Sequence, residues 1–174
     1  MRTQKVVVVP YDPQWKRDFE QIKREITEAA GPLLAGVEHV GSTAVEGLSA
    51  KPIIDIDVVI RDWAVFDSVV CALGRIGYVH EGNLGIPERE AFCYEGKTHL
   101  RAHHLYVCPQ DSRELARHLV FRDFLRSCPE AARRYGSAKE EAARRFPNSI
   151  EGYMACKAPV IAELYALCGL QDGK

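Results

Sequence analysis

Two aspartates one residue apart in an apolar run are the first feature with chemical potential. In Ile53-Ile54-Asp55-Ile56-Asp57-Val58-Val59-Ile60 an extended strand would put Ile54, Ile56, Val58 and Ile60 on one face. Ile53, Asp55, Asp57 and Val59 would take the other. Neighbouring carboxylates raise each other's pKa through repulsion and lost hydration unless a cation or donors compensate. Mg²⁺ is a natural compensation, because it takes carboxylate and phosphate oxygens together. For an Asp-x-Asp pattern standing alone, solvated acids on a wet face are the plainer reading.

Gly41-Ser42-Thr43, shortly upstream, shifts that balance. Glycine lets a backbone approach a phosphate, and amides and a hydroxyl donate hydrogen bonds to it. A plain turn is the alternative. Lys51, just before the acidic strand, is either a phosphate-facing charge or a solvated one. The chain contains neither G-x-x-x-x-G-K-[ST] nor G-x-G-x-x-G. His104 reads as a base, a metal ligand or a hydrogen-bonded sheet histidine. His39 either packs in its strand or orients the Gly-Ser turn. His80, His99 and His118 show no partner. Arg122 and Lys157 fall on helices that could cover the site and reach phosphates.

The elements that must position these residues follow from periodicity and turn chemistry. Lys5 to Val9 is a β-branched run that reads as a strand. Asp12-Pro13 opens a helix carrying Trp15, Phe19, Ile22 and Ile26 at helical spacing, to about Ala30. Strands are expected at Val37–Val40 and Pro52–Ile60, with a loop of small residues between them. Asp62 caps a second helix that ends near Gly74 or Gly77. Further strands are expected at 78–80, 91–94 and 101–108, the last two joined as a hairpin across Glu95-Gly96-Lys97. Beyond Asp111 the pattern is helical: 112–126, 129–146 and 149–168, capped at Asp111 and Ser149. The whole reads as one α+β domain over 1–174, a mixed sheet flanked by helices with a helical C-terminal third.

Composition narrows the partners. The 174 residues carry 23 basic and 24 acidic side chains, a net charge of −1. That lacks the basic excess of a general nucleic-acid binder. No apolar run is long enough to span a membrane, and no signal peptide is legible at the N-terminus. The six cysteines are scattered without a C-x-x-C pair. They read mostly as core thiols in a reducing cytoplasm, not as zinc ligands.

Strand, Gly-Ser, loop and Asp-x-Asp strand together resemble the nucleotidyltransferase superfamily. The fuller string Glu38-His39-Val40-Gly41-Ser42-Thr43-Ala44-Val45 with Lys51-Pro52-Ile53-Ile54-Asp55-Ile56-Asp57 is similar to the GrpB family. The similarity continues through Arg101–Val107 and Phe121–Arg126 to Tyr153 and Lys157. The resemblance implies a nucleotidyltransferase-like fold and use of a nucleoside triphosphate with an unknown acceptor. Gly41 and Ser42 would hold phosphates, Asp55 and Asp57 would bind Mg²⁺, and His104 would stand where a third carboxylate is usual. Tyr106 departs from the family's histidine at that position. The alternatives are an accessory nucleotide- or partner-binding module, as in relatives fused to dephospho-coenzyme A kinase, and a metal-dependent phosphohydrolase.

Overall fold

The computed structural model describes residues 5–170. Asp12 starts the first helix, its carboxylate accepting the Gln14 N–H at 2.9 Å. Helix α1 then runs Gln14–Ala30 and buries Trp15, Phe19, Ile22 and Ile26, the stripe that the spacing predicts, together with Ala30. Strand β1 (Leu34–Val40) follows, then a 3-10 turn at Ser42–Ala44 and strand β2 (Ile54–Ile60). Asp62 accepts from Ala64 N–H ahead of α2 (Phe66–Arg75), which leads to β3 (Tyr78–Gly82), β4 (Glu90–Tyr94) and β5 (His103–Pro109). Helices α3 (Arg113–Ser127), α4 (Pro129–Arg145) and α5 (Ile150–Leu167) complete the chain of elements.

The five strands are ordered β1-β2-β5-β4-β3. β2 is antiparallel to β1 and parallel to β5; β4 is antiparallel to both β5 and β3. A parallel neighbour needs a crossover, and residues 61–102 supply it. The result is the α+β mixed sheet expected from the sequence. Ile54, Ile56, Val58 and Ile60 join Leu105, Val107 and the α1 stripe in the main core. The opposite sheet face lies under the C-terminal helices, where Val59, Cys108 and Leu115 pack together. Val45 and Leu48 of the loop after β1 pack with Leu125, Tyr135 and Leu164 of the three helices. The loop holding the Gly-Ser turn is thus clamped between sheet and helices.

Four expectations are corrected. Lys5–Val9 is not a strand: only Val9 bridges, to Ala50, while Val6 N–H bonds Pro147 O. A β-branched run without a neighbour to complete its ladder stays irregular. The cap of α3 is Ser112, accepting from Leu115 N–H, and not Asp111. β4 and β5 pair as expected but are joined by the longer segment 95–102, because Leu100 turns back into the core. Among the cysteines only Cys108 is buried; Cys71 and Cys93 are exposed and the other three intermediate, all of them free. No helix among the described residues is long and apolar enough to cross a membrane.

Candidate active site

The two aspartates sit on the central part of the sheet, where the register fixes their neighbours. Asp55 lies opposite Val40 of β1 and His104 of β5; Asp57 lies opposite Glu38 and Tyr106. Both face the C-terminal helices. His104 Nδ1 is 2.8 Å from Asp55 Oδ1, with the histidine side chain half exposed. Asp57 is fully buried, and His118 Nδ1 from α3 meets its Oδ2 at 2.6 Å. Asp57 Oδ1 is buried with no hydrogen-bond partner.

Gly41 joins β1 to the 3-10 turn with φ +71°, and a Cβ there would collide with Asp55 Oδ2. Both facts call for glycine. The turn is held from three sides. Arg126 donates from Nε and Nη2 to Ala44 O. Arg122 Nη1 reaches Glu38 Oε2 at 2.7 Å and His39 O at 3.1 Å. His39 Nε2 lies 2.9 Å from Thr43 Oγ1 while its ring stacks on Phe19. His39 therefore both packs and orients the turn. Glu114, His118, Arg122 and Arg126 recur every fourth residue, which aligns them along α3 against the acid face of the sheet.

Three lysines complete the site. Lys139 of α4 is 2% exposed, and its Nζ has no hydrogen-bond partner, lying 4.4 Å from the Tyr135 ring centroid. Burial and the nearby Lys157 charge lower its pKa to about 7, with Asp55 pulling the other way. Lys157 of α5 lies over Tyr153 at 4.8 Å, its pKa lowered to about 8 by burial and by Lys51. The Ser42 hydroxyl faces the phenol of Tyr135, which burial pushes well above its ordinary pKa. Lys51 is half-buried, 5.7 Å from the same Tyr153 ring. A cavity of about 150 Å³ opens beside the turn, lined by Gly41, Ser42, Arg117, His118, Phe121, Arg122 and Tyr165 among others. A larger groove of about 450 Å³ lies between the end of α1 and α2, away from both aspartates.

The structure therefore brings Gly41, Ser42, Asp55, Asp57 and His104 together, with Lys51 and Lys157 on the lysine side. The guanidinium of Arg122 is engaged with β1 and Asp123, although the residue lines the cavity. Sequence reasoning missed Lys139, Tyr135 and His118. His118 does have a partner, as do His80, bonded to Glu90 at 2.6 Å, and His99, bonded to Glu25 at 2.5 Å. The four-residue spacing from His118 to Arg122 to Arg126 was the available signal. Lys139 gave none, being one charge in a helix full of them.

The donor set suits a hard cation in one respect. Two carboxylates share a strand face, one oxygen of Asp57 lacks any partner, and Mg²⁺ commonly uses one or two protein carboxylates and completes its shell from phosphates and water. No group of three or more His, Cys, Asp or Glu residues among those described is arranged to hold a metal by itself.

Two histidines bind protons less readily here than in an unfolded chain. Burial takes His39 and His103 from the ordinary 6.5 to about 4. His103 donates from Nδ1 to Arg101 O at 2.7 Å and accepts the Tyr78 hydroxyl at 2.7 Å on Nε2, so it is neutral. Between pH 6.5 and about 4 the unfolded chain binds protons that the fold refuses. Stability should then fall with pH across that window by about 1.4 kcal/mol per unit per histidine. Urea midpoints at pH 7, 6 and 5 measure it; a midpoint that stays level down to pH 5 would contradict it.

A family model described as GrpB protein matches residues 5–167. The chain is 37% identical over 163 residues to UPF0157 protein PA4798 of Pseudomonas aeruginosa, covering 92% of this chain and 66% of that one. It is 29% identical over 185 residues to a dephospho-CoA kinase of Mycolicibacterium paratuberculosis, spanning 45% of the kinase's length. Among solved structures it is similar to the conserved protein GrpB from Enterococcus faecalis, with TM-score 0.78 and 33% identity over 92% of this chain and 98% of that one. It also matches terminal uridylyl transferase 4 from Trypanosoma brucei with bound GTP, at TM-score 0.53 and 14% identity over 90% of this chain and 52% of that one. The fold is thus of the nucleotidyltransferase type. The chain spans about two thirds or less of the full length of these two relatives.

Proposed function

The chain belongs to the GrpB family, and from that premise we propose that it binds a nucleoside triphosphate and transfers the nucleotidyl group to an acceptor. The observation that carries this reading is Lys139, a buried lysine with no partner, set with Lys157 near Asp55 and the Gly41-Ser42 turn. A buried ammonium without a counter-charge is costly. Triphosphate oxygens would supply that counter-charge, and the tilt of both lysines toward neutrality would reverse on binding.

In this reading Lys139, Lys157, Lys51 and the Gly41 and Ser42 backbone hold the β- and γ-phosphates. Asp55 and Asp57 would hold Mg²⁺, which when bound neutralises phosphate charge and polarises the phosphorus under attack. The acceptor oxygen bonds to the α-phosphorus, the bridging bond to the β-phosphate breaks, and its electron pair leaves on pyrophosphate. The lysines stabilise that growing charge. Asp55 orients His104 through Nδ1, leaving Nε2 to take the acceptor proton. The cavity of about 150 Å³ is too small for a whole nucleotide. Its aromatic wall, with Phe121 and Tyr165 centroids 4.7 Å apart, suits a base at the rim, and Arg122, held by Glu38 and Asp123, shapes that wall. The bound GTP of the uridylyl transferase is consistent with this layout. Free thiols suit work in the cytoplasm.

A thermal-shift panel of nucleoside triphosphates with and without Mg²⁺ tests the reading. At a hundredfold excess over Kd the expected gain is about 2.7 kcal/mol, or roughly 5–10 °C for a domain of this size. No shift with any triphosphate would end it. Binding without release of pyrophosphate would favour a second reading, an accessory binding module, which the alignment with part of a dephospho-CoA kinase supports.

A further inference from the structure

The acid pair has a cationic group on each side, lysines on one and an arginine on the other. On the β5 side stands Arg89, the last residue of the loop between β3 and β4. Its guanidinium carbon lies 4.0 Å from the centroid of Tyr106, the cross-strand neighbour of Asp57. Its field bears on Tyr106, Cys108 and His118, so it sits on the acid face of the sheet. No carboxylate among the described residues pairs with it, and its Nε is buried without a hydrogen-bond partner. Every other arginine facing this site is tied down or stacked elsewhere: Arg122 on Glu38, Arg126 on Ala44 O, Arg117 over Tyr165.

The loop delivering Arg89 is held in an unusual conformation. Glu88 has φ +60°, a region that L side chains avoid. Helix α3 pins it there: the Ser112 hydroxyl donates to Glu88 O at 3.0 Å, and Arg113 N–H donates to Glu88 Oε2 at 2.9 Å. Strain maintained by specific contacts next to a site points to a function for what it positions. A guanidinium with free donors matches an oxyanion, which it binds through paired hydrogen bonds.

We infer that Arg89, stacked on Tyr106, forms a second anion subsite that receives a phosphate or carboxylate group of the acceptor. Its assignment to the acceptor rests on the transferase reading above; the subsite itself does not. The lysines take one side of the acid pair for the triphosphate, so the second substrate approaches from the β5 side, past His104 and Tyr106. The acceptor class is then a small molecule that is itself anionic.

The test titrates wild type, Arg89→Gln, Arg89→Lys and the surface control Arg113→Gln with glycerol 3-phosphate, glycerate and glycerol. Each titration runs without nucleotide and again with a saturating non-hydrolysable triphosphate and Mg²⁺. Wild type should bind one or both anions and not glycerol, and should bind them in the presence of the triphosphate. Arg89→Gln should weaken the anion at least tenfold and leave triphosphate affinity unchanged, with Arg89→Lys between the two. The preferred anion distinguishes phosphate from carboxylate. Three results would overturn the subsite: wild type binds neither anion, Arg89→Gln changes affinity no more than Arg113→Gln, or the triphosphate displaces the anion. Should wild type bind no triphosphate yet bind an anion through Arg89, the transferase reading falls and the subsite stands.

Discussion

Replacing Lys139 with Met is expected to stabilise the ligand-free protein and to weaken triphosphate binding about a hundredfold. Burial brings this ammonium from the ordinary 10.5 to about 7. Near neutral pH that shift is a destabilisation on the order of 4 kcal/mol, and an apolar side chain of similar size should recover roughly half of it or more. Between pH 10.5 and 7 the unfolded chain holds a proton that the folded chain gives up. Wild type therefore loses stability as pH falls through that window, and the loss is complete below about pH 7. The advantage of Lys139→Met in melting temperature should be largest at pH 7 and below and vanish near pH 10.5. A variant that melts lower and binds triphosphate normally would assign Lys139 to packing on Tyr135.

Asp55→Asn and Asp57→Asn are expected to remove the Mg²⁺-dependent part of triphosphate binding while leaving the ligand-free fold intact at alkaline pH. For Asp57 the outcome depends on pH in a defined direction. Burial disfavours the His118 imidazolium, but the hydrogen bond and charge of Asp57 outweigh it and hold the pKa above the ordinary 6.5. A raised histidine pKa gives stability that is full below about pH 6.5 and is lost as pH rises through the folded value. At pH 6, Asp57→Asn breaks that ion pair and should cost about 1–2 kcal/mol. At alkaline pH, above the folded pKa of His118, the imidazole is neutral, the buried carboxylate of wild type is uncompensated, and the variant should melt at the same temperature or higher. Melting curves at both pH values, with and without Mg²⁺ and triphosphate, make the comparison. Variants that retain the metal response would remove the aspartates from the metal site.

Much of this was legible because it is local. The α1 stripe, the cap at Asp62, the three C-terminal helices and the alternation that places Asp55 and Asp57 on one face all follow from periods of 3.6 and 2. That Gly41 and Ser42 share a site with Asp55 came from the family resemblance, and the antiparallel return of β1 along β2 is what delivers it. What the sequence concealed depends on contacts distant along the chain. His118 reaches Asp57 from 61 residues away, and nothing near either residue announces the other. Lys139 looks like a surface lysine until α4 packs on the loop after β1. The Lys5–Val9 run has strand composition but no strand beside it, and pairing, not propensity, decides that outcome.

The position of β2 within the sheet also has a consequence in time. Its seven residues hydrogen-bond to a strand on either side, and its apolar face lies in the largest core cluster. The helices bearing Lys139 and Lys157 rest on much smaller clusters, one of them built from Val6, Ala142 and Tyr153. Amide hydrogens of 54–60 should therefore exchange with solvent only when the entire chain opens, whereas those of α4 and α5 should exchange through smaller, more frequent openings. The two carboxylates stay fixed through those openings, and it is the lysine half of the site that breathes.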